Sequence, residues 1–141
     1  MPKVDFYLLP DSDPQARLRL ACRIAEKAYS LGHQVHIRTD SRENCQQLDT
    51  LLWTFRDRSF IPHEIEPESP QRCKVTLGCD WTPEHCEILI NLATNAPTFF
   101  DRFERVAEII DQTLDARDAG RARYRFYRER GCELRHHEVA G

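Results

Sequence analysis

Short apolar runs alternate along this chain with longer stretches whose apolar residues recur at helical spacing. Val4-Asp5-Phe6-Tyr7-Leu8-Leu9 reads as a strand that stops at Pro10. Asp13 and Pro14 then supply an N-cap and a first helical residue, so a helix is predicted over about 14–31. Leu18, Ala21, Ala25 and Ala28 share one face of it, and Gly32 sits where a left-handed terminating residue belongs. Gln34–Thr39 is a second strand. Asp40 or Ser41 caps the next helix, with Glu43 placed to answer Asp40 in a capping box, and Leu48, Leu51 and Leu52 form its apolar stripe up to Trp53. The chain therefore opens strand, helix, strand, helix.

From Phe55 to Arg72 it becomes polar and proline-rich, which predicts a long surface loop. Cys73–Leu77 reads as a strand. Glu87-Ile88-Leu89-Ile90-Asn91-Leu92 is a stronger one, and its unbroken apolar core places it centrally in a mostly parallel sheet. Between them Trp81-Thr82-Pro83 is loop. Residues 98–111 fit two patterns, a helix through Phe99, Phe103, Val106 and Ile110 or a strand from Glu104 to Ile110. A last helix is expected over about 114–130, ending at Gly131, with Ala119, Ala122 and Phe126 inward and Leu114, Arg117, Arg121, Tyr124, Arg125 and Arg128 nearly opposite. Cys132–His137 is a candidate edge strand. The expected product is one α/β domain spanning residues 1–141, without repeats or low-complexity tracts.

Charge changes this picture by segment more than by sum. The 141 residues carry a formal net charge of −3, which argues against a protein that coats duplex DNA. Residues 116–135, however, hold seven arginines against three acids, a net +4 that leaves −7 for the remainder. Arginine's planar fork suits bidentate recognition of carboxylate or phosphate. No run approaches the roughly 18 apolar residues of a membrane span, and no apolar export signal opens the sequence, so a soluble, cytoplasmic protein with no membrane role is expected.

The motifs of several catalytic classes are missing. Between Leu9 and Gln15 there is no glycine, and neither G-x-x-x-x-G-K-[ST] nor G-x-G-x-x-G occurs, while Asp11 and Asp13 would repel a phosphate. There is no G-x-S-x-G elbow. His36 is expected to be a packed strand residue and His136-His137 an exposed tail. The six cysteines, Cys22, Cys45, Cys73, Cys79, Cys86 and Cys132, read as reduced thiols in a chain long enough to form a core without disulfides. Cys73, Cys79, His85 and Cys86 are the one group that could converge on a metal, but they contain no C-x-x-C pair, and packing is the preferred reading. No cofactor is implied. The enzyme alternative, a divalent-metal nuclease or phosphate-ester hydrolase on the same scaffold, requires carboxylates gathered at the carboxyl ends of the strands.

Two features call for a binding explanation. Arg117, Arg121 and Arg125 at four-residue spacing with Tyr124 beside them make a basic patch with an aromatic wall, suited to a carboxylate attached to an apolar group. Against this stand a merely solvated basic face and a direct single-stranded-DNA binder, for which one aromatic and a negative chain are a poor fit. Trp53, Phe55, Phe60, Ile61 and Pro62 place large apolar groups at a helix end and in a polar loop, which is either core packing or an interface anchor.

These landmarks, in order, resemble the chi subunit family of bacterial DNA polymerase III. They are Phe6-Tyr7-Leu8-Leu9, Leu51-Leu52-Trp53, Ser59-Phe60-Ile61-Pro62-His63, Ile88-Leu89-Ile90-Asn91-Leu92, Phe103-Glu104-Arg105-Val106 and Arg121-Ala122-Arg123-Tyr124-Arg125-Phe126-Tyr127. The resemblance implies a Rossmann-like three-layer α/β domain with a mostly parallel central sheet, no nucleotide-binding loop and no catalytic activity, and it favours strand for 104–110. It implies a clamp-loader accessory role in DNA replication with two partners. One is the acidic C-terminal tail of the single-stranded-DNA-binding protein, whose terminal phenylalanine and α-carboxylate would fall on Arg117, Arg121, Tyr124 and Arg125 with Ile110 as apolar lining. The other is the psi subunit, or a helicase-like protein at the same patch, on Trp53, Phe60 and Pro62. DNA itself would be reached only indirectly.

Overall fold

The structure is a computed structural model and describes residues 1–54, 61–67 and 71–139. Its strands are β1 (Lys3–Leu8), β2 (Val35–Arg38), β3 (His63–Ile65), β4 (Val75–Gly78), β5 (Ile88–Asn91), β6 (Arg105–Ile110) and β7 (Glu133–Glu138). They form one sheet in the order β3-β4-β2-β5-β6-β1-β7, and every pairing is parallel. Three helices connect them: α1 (Pro14–Ser30), α2 (Arg42–Thr54) and α3 (Leu114–Glu129). The chain leaves β1 toward one edge through α1 and α2, and leaves β6 toward the other edge through α3. Right-handed crossovers therefore put α1 and α2 on one face and α3 on the other, an α/β three-layer arrangement.

Local chemistry explains the boundaries. Asp13 caps α1 by accepting from the Gln15 amide at 3.0 Å, with Pro14 as the first helical residue. Gly32, at φ +87°, closes the helix while the His33 amide reaches back to the Ala28 carbonyl. Ser41 caps α2 through the Asn44 amide at 3.1 Å. The capping box expected from Asp40 and Glu43 does not form, because Asp40 instead accepts from the amide and hydroxyl of Thr94, the latter at 2.7 Å. The short strand β3 lies within the stretch expected to be loop; three residues are too few to show a period. Of residues 98–111, Phe100–Arg102 is a 3-10 turn and Arg105–Ile110 a strand, as the family resemblance implied.

Side-chain alternation divides the core. Ile37, Ile90, Ala107 and Ile109 pack beneath α1 and α2 with Leu20, Ala25, Leu48 and Leu52. Val4, Phe6, Leu89, Val106 and Ile110 face α3 with Phe100, Phe103 and Tyr127. The register lines up Arg38, Asn91, Glu108, Phe6 and His136 as one row across that second face.

Glu108 is the anomaly in this row, a fully buried carboxylate in an apolar strand. Arg123 of α3 donates from Nε to its Oε1 at 2.7 Å, the two side chains being 4% and 0% exposed. The Tyr127 hydroxyl and the Asn91 amide donate to Oε2 at 2.6 and 2.9 Å. Asn91 in turn accepts from Arg38 at 3.0 Å, and Arg123 also donates to the Thr94 carbonyl at 2.8 Å. Burial and the neighbouring carboxylate push the Tyr127 hydroxyl pKa upward. Removing one member of such a buried pair costs about 3–5 kcal/mol, because the other charge is left without a partner. Glu108→Ala is therefore expected to lower stability by about that amount, read as a lower urea midpoint. A midpoint equal to that of the wild type would contradict this role for Glu108.

Candidate functional site

The placement of α3 decides what its arginines can do. Thr113 caps it, accepting from the Ala116 amide at 3.3 Å while its own hydroxyl donates to Asp111 at 2.6 Å. Its inward stripe is Gly120, Arg123 and Tyr127, which corrects the stripe of Ala119, Ala122 and Phe126 expected from apolarity. Ala122 is exposed, and Ala119 and Phe126 are half-buried. Apolarity misidentified the stripe because two of its residues are polar groups satisfied by the buried Glu108. At Gly120 the helix presses on Ile110: a β-carbon there would lie 2.5 Å from Ile110 Cδ1.

With that face turned inward, Arg117, Arg121 and Arg125 are exposed, and Arg128 follows one turn later. Arg121 lies 3.7 Å from Asp118, a pair open to water and hence weak. Tyr124 is half-buried at the border between the arginine row and the core. Its ring packs on Phe6 at 5.5 Å and on His136 at 5.3 Å, with the Arg128 guanidinium 5.8 Å from its centroid. Ile110 belongs to the same apolar cluster but is only 9% exposed, so it forms a floor under α3 rather than an open wall. Leu114, 71% exposed, opens the same helix face.

The second candidate lies at the opposite edge of the sheet and on the opposite face. Trp53, at the end of α2, is 47% exposed. Its ring centre is 4.6 Å from that of His63, whose imidazole sits between the Ile61 carbonyl at 2.7 Å and the Asp49 carboxylate at 2.8 Å. Pro62 is half-buried and Ile61 buried. Phe60 and Phe55 lie outside the described residues. The sequence thus gives this patch one placed aromatic, and the structure adds His63 and Asp49 beneath it.

Elsewhere, three carboxylates at or near the carboxyl ends of the strands are engaged: Asp40 by Thr94, Asp111 by Thr113, and Glu108 as described. Arg17 donates to the Ile109 and Leu92 carbonyls at 3.1 and 3.0 Å, and burial, then the Arg123 charge, lowers its pKa. With Thr39, Leu92 and Asp111 it lines a cavity of about 190 Å³. Among the described residues no three His, Cys, Asp or Glu side chains are grouped to hold a metal ion. Burial pushes the Cys79 and Cys86 thiols up to about 11, which keeps both protonated at neutral pH, and His85 points to solvent. No helix among the described residues is long and apolar enough to cross a membrane.

Comparison with known proteins agrees with the landmark residues. The sequence profile of the family described as DNA polymerase III chi subunit, HolC, matches residues 1–135. The chain belongs to this family. It is 43% identical over 140 residues to DNA polymerase III subunit chi of Pseudomonas aeruginosa, covering 99% of this chain and 98% of that one. To DNA polymerase III subunit chi of Escherichia coli it is 29% identical over 143 residues, covering 95% and 96% of the two chains. The protein of the same description from Haemophilus influenzae is 24% identical, covering 92% of each chain.

In this chi-family chain, sequence reasoning passed over Arg123, Glu108, Tyr127 and His136. A signal for the first three was available: a lone glutamate inside the apolar strand Val106-Ala107-Glu108-Ile109-Ile110 demands a buried cation, and Arg123 shares a helical stripe with Gly120 and Tyr127. His136 and His137 are exposed, as expected, and lie in the edge strand β7 that Cys132–His137 suggested rather than in a tail; His137 is 2.8 Å from Asp5. The tight contact at Gly120 yields a test. Gly120→Val should cost about 1–3 kcal/mol by overpacking, and Ile110→Ala in the same chain should recover part of it in a double-mutant cycle of thermal melts. Strictly additive losses would show that the two positions do not touch.

Proposed function

We propose that this protein is a non-catalytic accessory subunit of the DNA polymerase III holoenzyme. It acts in the cytoplasm as one domain and couples the clamp loader to the C-terminal tail of the single-stranded-DNA-binding protein. The observation that carries the reading is the outward face of α3, where Arg117, Arg121 and Arg125 stand exposed beside the half-buried ring of Tyr124. A terminal α-carboxylate on Arg121 gains charge-assisted hydrogen bonds, each contributing about 1.5–3 kcal/mol. The tail's terminal aromatic ring packs against Tyr124 over the Ile110 floor, and its acidic residues meet Arg117 and Arg125. One such carboxylate and one buried ring support binding in the micromolar range, about −8 kcal/mol.

The Trp53 patch, with Pro62 and Phe60, is the proposed seat of the second partner, the psi subunit or a helicase-like protein. Four strand spacings, about 19 Å, separate β3 beside this patch from β6 under α3. Together with their placement on opposite faces, that separation leaves room for both partners at once. The engagement of Asp40, Asp111 and Glu108 by neighbouring side chains favours this reading over the hydrolase alternative.

The test is binding of a labelled acidic peptide ending in phenylalanine, with free and amidated C-termini, to wild type and Arg121→Ala. The expected result is micromolar binding by the free-acid peptide, a loss of tenfold or more on amidation or on Arg121→Ala, and weakening as salt rises. No binding at low salt would overturn the receptor role. Tight binding of single-stranded DNA without the peptide would favour a direct DNA binder instead.

A further inference from the structure

Tyr124 owes its position to three neighbours, of which the helical period of the sequence points only to Arg128. Phe6, buried in β1, supports the ring from below at 5.5 Å and an interplanar angle of 59°. Arg128, one turn along α3, holds its guanidinium 5.8 Å from the centroid. The third is His136, whose imidazole stacks on Tyr124 at 5.3 Å and 29° and lies 5.9 Å from Phe6. The placement is fixed by register: β7 pairs with β1 so that His136 falls opposite Phe6, on the face that α3 covers. Phe6, Tyr124 and His136 thus form a triad of rings that begins in the core and ends at the surface.

His136 itself is exposed. Its stacking therefore adds little to the core, yet it fixes one side of a half-buried ring at the border of the arginine row. Offset-stacked rings in this distance range attract through dispersion and complementary charge distributions, and the pair resists rotation of either member. A phenol ring held on both sides is preorganised, which lowers the ordering cost of binding an apolar group against it.

We infer that His136 is a specificity-determining residue of the α3 receptor, an outer wall that locks Tyr124 and extends its surface so that a peptide ending in an aromatic ring is preferred over one ending in an aliphatic side chain. This rests on the reading of α3 as a receptor for an acidic C-terminal tail. The Arg121 carboxylate contact supplies the grip on the chain end, whereas Tyr124 and His136 supply the choice of last residue.

The experiment measures dissociation constants for two acidic peptides that differ only in the last residue, phenylalanine or leucine, with wild type, His136→Ala, His136→Phe and Arg121→Ala. Melting temperatures confirm that each variant folds. His136→Ala is expected to weaken the phenylalanine peptide about three- to tenfold and the leucine peptide less, so that the ratio between them falls toward one. His136→Phe should restore the ratio, which a general loss of structure would not do. Arg121→Ala should weaken both peptides alike and leave the ratio in place. If wild type and Arg121→Ala behave as expected but His136→Ala keeps both the affinity and the ratio, His136 is a bystander and the inference fails alone. If wild type binds neither peptide, the receptor reading fails and the inference with it.

Discussion

A carboxylate in the interior of a parallel sheet must be paired, and the way Glu108 is paired governs the rest of this molecule. Its partner, Arg123, comes from a helix on the far side of a crossover, so the ion pair fixes both the distance and the rotation of α3 against β6. Tyr127, one turn later on the same stripe, donates to the other carboxylate oxygen. Gly120, one turn earlier, lets the backbone come down onto Ile110. With those three positions turned inward, the 3.6-residue period leaves Arg117, Arg121 and Arg125 outside and Tyr124 at the border. The surface that reads as a receptor is thus the reverse side of a buried polar network.

The same network occupies the part of the fold that many parallel α/β proteins use for ligands. Arg38, Asn91 and Glu108 stand side by side across three neighbouring strands near their carboxyl ends, and Arg17 and Arg123 close over the adjacent carbonyls. In open sheets of this kind the crevice beyond the strand ends usually receives the ligand. Here Arg17 narrows it to a cavity of about 190 Å³ that Thr39, Leu92 and Asp111 also line, and the loop after β1 carries aspartates in place of glycines. Positive charge is available on the outward face of α3 instead, in a chain whose remainder is acidic.

The sequence made most of the element order legible, because it is written in periods and caps: Asp13 with Pro14, the Gly32 terminator and the apolar run of β5 each fall where expected. Residues 98–111 resisted because a short buried strand next to a 3-10 turn carries apolar residues at spacings that satisfy both templates; the family resemblance separated them. The strand β3 was too short to show a period. In the candidate site, Arg117, Arg121, Tyr124 and Arg125 were legible because exposed arginines stand out on a helical wheel. The inward stripe was not, since Arg123 and Tyr127 are inside only because Glu108 is there, a relation between residues fifteen and nineteen positions away. His136 was hidden for a similar reason: nothing local shows that β7 returns beside β1 in a register that brings it to Phe6.

The central claim is that α3, held by Glu108, presents one peptide-binding surface to solvent. Mapping chemical-shift changes on the isotopically labelled protein, as an acidic peptide ending in phenylalanine is added, tests it most directly. The account predicts that the shifts concentrate on the Arg117, Arg121, Tyr124 and Arg125 amides and on β7 near His136, while the Trp53 indole stays still. Shifts centred on Trp53, or on Arg17 and the carboxyl ends of the strands, would contradict it.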